Sequence, residues 1–353
     1  MSSLEIEIPT EAIGMLPIDH EQERIRDFSH ALKRLQVIRP AEIDTDFTDE
    51  RPVPFAIKRF LAFEHEDTLT FYTNPDVLGA PVDRVRFSPR ISRVGKQSRH
   101  GVFFGDLQLG PGLQVPVAVK PHLDEERDSC LDEYFNTLAI TQLGMSTLVE
   151  LGFIYGDREE DPAYSITVLQ EGLSTLDSVD WSSFYPDIEE HPGMLALWKG
   201  AAYQAAKLHA PGNRSHGDLA GRNVGEKGGA LSDQTRVILL DWESATIGGQ
   251  PPRDAEVRYS HSHSDITTIV ESMCRSTDVD FRAGIGVFAG KSGDWWQGFR
   301  AVFLDSYLER RRQILDQTAA DAATVRDVNE ELAELEKSLQ QDVAMYQDLA
   351  LVS

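Results

Sequence analysis

The chain has 353 residues, 41% of them hydrophobic and 26% charged, with only 2 cysteines; this excludes wholesale disorder and a disulfide framework and leaves ample length for a core. Lys+Arg number 34 against Asp+Glu 58, a net charge of −24, and a field of that sign excludes nucleic acid and anionic membrane surfaces as partners while leaning toward a cationic ligand. No apolar run approaches the roughly 18 residues of a membrane span, and the acidic start MSSLEIEIPTEAIG lacks a signal-peptide pattern, so a cytoplasmic protein is expected.

Ile25, Phe28, Leu32 and Leu35 give residues 20–36 a helical apolar face that ends before Arg39-Pro40. Phe55–Phe63 and Thr68–Thr73 read as strands, the second bounded by Asn74-Pro75. Residues 1–85 thus form a small α+β extension without a legible chemical motif. Strands are expected at Phe87–Val94, Val102–Leu109 and Val115–Lys120, with a turn at Gly110-Pro111-Gly112. A helix follows over Leu131–Leu143, closed by Gly144, then strands Leu148–Tyr155 and Tyr164–Leu169. The second half is mainly helical, with helices over Met194–His209, Ser264–Arg275 and Trp295–Leu315. Val325, Val328, Leu332, Leu335 and Leu339 form a stripe that fits packing on its own domain or a coiled-coil seam of a homodimer.

The sharpest signal is Ser215-His216-Gly217-Asp218-Leu219-Ala220-Gly221-Arg222-Asn223, followed by the apolar strand Val237-Ile238-Leu239-Leu240 and Asp241-Trp242-Glu243. An acid precedes an amide by five residues, and a second acid ends a strand. Phosphoryl transfer needs such a set: Asp218 to orient and deprotonate an attacking hydroxyl, Asn223 and Asp241 to hold Mg²⁺ on a triphosphate.

These motifs resemble the protein-kinase-like superfamily, most closely its aminoglycoside phosphotransferase and choline kinase branch, with H-G-D-L-x-x-x-N and D-W-E within residues 86–310. The resemblance implies a bilobal α+β fold: a five-stranded antiparallel sheet plus a helix over residues 86–170, a mainly helical lobe over 171–316, the 1–85 extension before them and a C-terminal helix over 317–353. It implies ATP and Mg²⁺. Val117-Ala118-Val119-Lys120 resembles the strand of the phosphate-binding lysine, with Glu133 on the next helix as its ion-pair partner; Glu125 and Glu126 compete from the connector. Gly95, Lys96, Arg99 and Gly101 sit where the family has its phosphate-covering loop, although the segment also reads as a plain hairpin. Gln170 and Gly172 fall at the inter-lobe hinge, where backbone groups meet adenine. His216 and Asp265 would support the catalytic loop, Asp265 as a helix-start acid bonding the loop backbone.

Arg222 departs from the small-molecule branch and is closer to the tyrosine-kinase loop; it contacts substrate or phosphate, or serves as a salt-bridge partner. His261 and His263 would share a face of an extended segment, but no third ligand accompanies them, so no zinc site is expected. Cys130 and Cys274 read as core. The expected activity is ATP-dependent phosphorylation of a hydroxyl on a small-molecule acceptor, because the stretch between Asp241 and Asp265 is short and has no Ala-Pro-Glu anchor. The net charge favours a cationic acceptor and Arg222 argues the other way. The alternatives are an atypical protein serine/threonine/tyrosine kinase and a nucleotide-binding pseudokinase-like module.

Overall fold

The computed structural model describes residues 28, 35–38, 69–73, 86–90, 102–122, 129–156, 161, 163–178, 191–210, 214–227, 236–247, 255–275, 288, 294–317, 329–330, 333–339 and 341. The chain divides into two compact units, one of residues 1–51, 55–138 and 148–169, the other of 52–54, 139–147 and 170–353.

Among its described residues the first unit holds a seven-stranded sheet and residues 129–138 of a helix. Its strands are β1 (Leu35–Ile38), β2 (Leu69–Thr73), β3 (Arg86–Arg90), β4 (Phe103–Gly110), β5 (Leu113–His122), β6 (Glu150–Gly156) and β7 (Ala163–Val168), and helix α1 (Ser129–Gln142) lies between β5 and β6 in the chain. The sheet order is β1-β2-β6-β7-β5-β4-β3. Strands β3 to β7 are the expected five-stranded antiparallel sheet, with the three-strand, helix, two-strand order read from the sequence. The chain adds two strands from the extension: β2 pairs antiparallel with β6, and β1 pairs parallel with β2.

Side chains on one strand face alternate sides of the sheet, which sorts the chemistry of β5. Val117 and Val119 enter an apolar core with Phe71, Phe87, Phe103 and Ile166, while Lys120 and His122 share the opposite parity. Phe28 completes that core, its ring 5.0 Å from Phe87, 5.3 Å from Phe103 and 4.9 Å from Tyr164 in edge contacts. The expected helix over 20–36 is corrected at its end: Leu35–Ile38 is a strand. Leu-Gln-Val-Ile fits a two-residue period as well as a helical one, and backbone pairing to β2 decides. Phe55–Phe63 and residues 91–94 lie outside the described residues.

The second unit is mainly helical. It comprises β8 (Leu173–Thr175), α2 (Pro192–His209), β9 (Val224–Lys227), β10 (Arg236–Leu239), α3 (Ala255–Arg275), α4 (Trp295–Phe299), a π turn (Arg300–Leu304) and α5 (Asp305–Gln317). Strands β10, β9 and β8 form a small antiparallel sheet. Pro192 sits in the first turn of α2, where its missing N–H costs nothing. The buried face of α2 carries Leu197, Trp198, Ala201, Ala202 and Ala205, and its small residues allow close approach: a Cβ at Gly200 would lie 2.5 Å from Val237.

Two expectations are corrected here. Helix α3 begins at Ala255, so His261 and His263 are helical rather than extended and Asp265 lies inside the helix rather than at its start. Ser262, Asp265, Ile266, Ile269 and Val270 are buried at helical spacing; two of these positions are polar, which hides the face from an apolar-periodicity reading. The helix expected over Trp295–Leu315 is interrupted by the π turn. Leu335 and Leu339 of the C-terminal stripe are buried in the core of their own unit.

Candidate active site

In the first unit Lys120 meets the acid expected for it. Its Nζ lies 3.3 Å from Glu133 Oε2 and both side chains are about nine-tenths buried, at 11% and 10% exposure. Burial by itself would raise the Glu133 carboxyl, but the Lys120 charge and bonds from His122 and Ser165 outweigh it and hold the group at about 2. Glu133 is therefore ionised across the working range. Glu150, also buried, goes the other way: burial first, then the nearby Glu133 charge, push it well above the usual value.

The residues expected to form the catalytic loop come together in the second unit. Gly217 has φ +81°, and a Cβ there would lie 2.2 Å from the Ser244 carbonyl oxygen. Only glycine fits between His216 and Asp218 for both reasons. Ser215 and Thr246 exchange backbone bonds of 3.1 and 3.0 Å, closing the segment between them. Hairpin pairing of Leu239 with Val224 places the residues next to those two opposite each other. The Leu240 N–H donates to the Asn223 carbonyl at 2.9 Å. Asp241 follows at φ 64°, a left-handed conformation rare outside glycine and typical of residues over-determined by a site.

Asp218 is half-buried, with one carboxylate oxygen addressed twice. Arg222 Nη2 donates to Oδ2 at 2.5 Å and Asn223 Nδ2 donates to the same atom at 3.1 Å. Asn223 Nδ2 also reaches the Asp218 backbone oxygen at 2.8 Å. The amide nitrogen of Asn223 is thereby committed, and its oxygen is the atom suited to a hard cation.

His216 is a buried brace. Its Nε2 donates to the Leu240 carbonyl at 2.8 Å, while Nδ1 accepts from the Asp218 N–H at 3.4 Å. That pattern requires the neutral ring, and burial lowers its pKa despite the carboxylates nearby, Asp265 first among them. The Trp242 ring lies 4.6 Å from it, centroid to centroid, and anchors through Nε1 to Thr147 Oγ1 at 2.9 Å.

Helix α3 holds the loop from below at two points. Asp265 Oδ2 accepts from the His216 N–H at 2.6 Å and Oδ1 from the Gly217 N–H at 2.9 Å. Burial would raise this carboxyl, but the hydrogen bonds from the His209 ring and the His216 backbone N–H keep it below its usual value. One face further along, Ser272 Oγ accepts from the Gly221 N–H at 3.0 Å. Asp265 is itself held by His209 Nε2 at 2.8 Å, and His209 Nδ1 by Tyr307 Oη at 3.0 Å. Arg311 donates to that Tyr307 oxygen at 3.3 Å.

Thus the structure brings Lys120 to Glu133 in one unit, and Asp218, Arg222, Asn223, His216 and Asp265 together in the other, where Asp241 follows Leu240, the residue bonded to Asn223 and His216. Gln170 and Gly172 belong to the turn entering β8, where Gly172 has φ 70° and Gln170 Nε2 bonds the Glu171 carbonyl at 3.1 Å. Gly95, Lys96, Arg99 and Gly101 lie outside the described residues, as does the Cys274 side chain. Cys130 is buried in a small cluster with Tyr134 and Phe153. His263 bonds Ser338 at 3.1 Å. The sequence reading missed His122, Ser165, Glu150, Ser272, His209 and Tyr307. Only His209 carried a local signal, a histidine ending an otherwise apolar helix face.

No protein-family profile and no curated protein matches the chain. Among solved structures it is similar to WaaP in complex with acyl carrier protein, at 17% identity over 69% of this chain and 86% of that one, TM-score 0.40. It is also similar to an aminoglycoside-3'-phosphotransferase of type VIII, at 15% identity over 69% and 92%, TM-score 0.38. A third is the BubR1 kinase domain, at 14% identity over 93% and 98%, TM-score 0.37. The three-strand, helix, two-strand order in the first unit and the loop of His216 to Asn223 in the second are those expected from the sequence motifs.

Proposed function

We propose that this chain is an ATP-dependent phosphotransferase that moves the terminal phosphoryl group of ATP to a hydroxyl of a small-molecule acceptor. The observation that carries the reading is the state of Asp218: one oxygen is fixed by Asn223 and Arg222, and the group is half-exposed rather than sealed. A carboxylate so held can accept the acceptor's hydroxyl proton as the new O–P bond forms and the bond to the ADP oxygen breaks.

The residues present fit Mg·ATP. Asn223 offers an amide oxygen, Asp241 a carboxylate held in a left-handed turn, and Mg²⁺ prefers one or two protein oxygens with phosphates and waters. Lys120, pinned by an ionised Glu133, supplies a fixed positive charge for phosphate oxygens in a chain whose average potential is negative. Bound Mg²⁺ would neutralise charge developing on the transferred group.

A small acceptor is favoured because the stretch from Asp241 to Asp265 is short and carries no peptide-docking anchor. The −24 charge supports an amino-bearing one. The test is incubation of the purified chain with labelled Mg·ATP, with and without a metabolite extract passed through a small-pore filter. Filtrate-dependent ADP release with label in small molecules is expected. Label entering only protein supports the protein-kinase alternative, and no turnover with intact nucleotide binding supports the pseudokinase-like one.

A further inference from the structure

Lys120, His122, Glu133 and Glu150 are all buried in the first unit, and the proposed reaction uses only Lys120 and Glu133. His122 is fully buried, and its ring nitrogens meet Ser129, Ser165 and Glu133 among the described residues. Its Nδ1 lies 2.8 Å from Ser129 Oγ, and its Nε2 lies 3.1 Å from Ser165 Oγ and 3.3 Å from Glu133 Oε2. Ser165 Oγ in turn donates to Glu133 Oε2 at 3.1 Å.

A hydroxyl has one hydrogen. With that of Ser165 given to Glu133, its oxygen can only accept from the ring. His122 Nε2 therefore carries hydrogen whatever the charge of the imidazole. The hydrogens run in one direction, from His122 through Ser165 to the carboxylate oxygen that Lys120 also contacts.

The placement gives this chain a mechanical consequence. Ser129 opens α1, and Glu133 lies one turn on, on the same side of the helix. His122 is on β5, and Ser165 on β7 is the cross-strand partner of Lys120. The ring thus ties both ends of the first turn of α1 to two adjacent strands. Sliding or rotating α1 would break the Ser129 and Glu133 attachments together and leave buried polar atoms unsatisfied.

We propose that His122 is a positioning residue that latches α1 to the sheet and, through Ser165, fixes Glu133 on Lys120. The nucleotide arm of the test rests on the proposed function; the helix arm does not. The full-length chain is compared with His122→Phe, Ser165→Ala and His122→Gln, the last restoring a donor at the Nε2 position. Two quantities are read: amide hydrogen exchange over residues 129–138 without nucleotide, and Mg·ATP affinity by titration calorimetry.

His122→Phe and Ser165→Ala are expected to speed exchange in α1 and weaken Mg·ATP by about tenfold, the scale of one hydrogen bond to a charged group. His122→Gln should restore most of both. On a Glu133→Gln background, His122→Phe should change affinity by less than about twofold, because the partner it acts through is already altered. Exchange in α1 unchanged in the Phe and Ala variants would overturn the proposal. So would full additivity with Glu133→Gln, which a merely space-filling role predicts. If His122→Phe fails to fold, Ser165→Ala, which removes a single oxygen, decides. Absence of Mg·ATP binding by the parent chain would count against the proposed function, and the exchange measurement would still decide this inference.

Discussion

Asp218 and Asp241 are both carboxylates of one loop system, yet their surroundings differ, and so do the roles proposed for them. Asp218 is half-exposed and held by neutral and cationic donors through one oxygen; Asp241 sits in a left-handed backbone conformation at a strand end. Asp218→Asn should lower turnover by about 10²–10⁴ and leave Mg·ATP affinity nearly intact, as removal of a positioned base does. Asp241→Asn should weaken Mg·ATP binding itself. Calorimetric titration beside turnover separates the two, and loss of affinity alone in both variants would refute the assignment. Glu150 makes a different prediction. Its carboxyl is raised above the usual 4.5 by burial and by the Glu133 charge, so above that pH the unfolded chain releases a proton that the folded chain keeps. Its contribution to stability therefore falls as pH climbs from 4.5 toward the raised value. Glu133 has the opposite sign: its contribution is present above 4.5 and is lost as pH falls toward about 2. Glu150→Gln should flatten the loss of melting temperature between pH 5 and neutrality; parallel curves for variant and parent would contradict it.

At the scale of elements, α3 and α5 position the loop more than the loop positions itself. Asp265 and Ser272 present acceptors to three loop N–H groups, and their spacing of seven residues is two helical turns, so one face of α3 serves both. Tyr307 on α5 reaches the same loop through His209 and Asp265. All three side chains are buried, so the chain is costly to interrupt. Tyr307→Phe removes only the hydroxyl, taking away the contact of His209 Nδ1 and one of the two bonds of Arg311 Nη1, which keeps the His209 carbonyl at 2.6 Å. The expected cost is about 1–3 kcal/mol, read as a shift of the urea midpoint at unchanged slope. A midpoint within error of the parent would show that the hydroxyl is not a tether. The π turn ahead of α5 is the local irregularity of this region, and Asp294 caps the helix that leads into it through bonds to Trp296 and Gln297 N–H of 3.1 and 3.2 Å.

For the molecule as a whole, the −24 charge opposes the approach of any polyphosphate. Lys120, neutralised in part by Glu133, and Arg222, paired to Asp218, are local positive charges against that field. Added salt shortens the Debye length to about 10 Å at 0.1 M, which screens the long-range repulsion more than a contact pair. The association rate of a fluorescent Mg·ATP analogue in stopped flow should therefore rise with ionic strength. A fall would mean that local positive charge dominates the encounter.

The sequence by itself determined the reactive residue types and the order of elements. His216 to Asn223 and Asp241 are close in sequence, and a single hairpin suffices to place them, so spacing carried that information. Lys120 and Glu133 were legible for the same reason, one strand and the next helix. Tertiary structure alone decided three other things. Leu35–Ile38 became a strand because β2 offered a partner, which no local pattern could announce. Asp265 acquired its role inside a helix whose buried face is partly polar, so its periodicity was invisible to an apolar count. The attachments of His122, Ser165 and Tyr307 join residues separated by 43 positions in one case and 98 in another, and a hydrogen bond between distant segments leaves no trace in either segment's own composition.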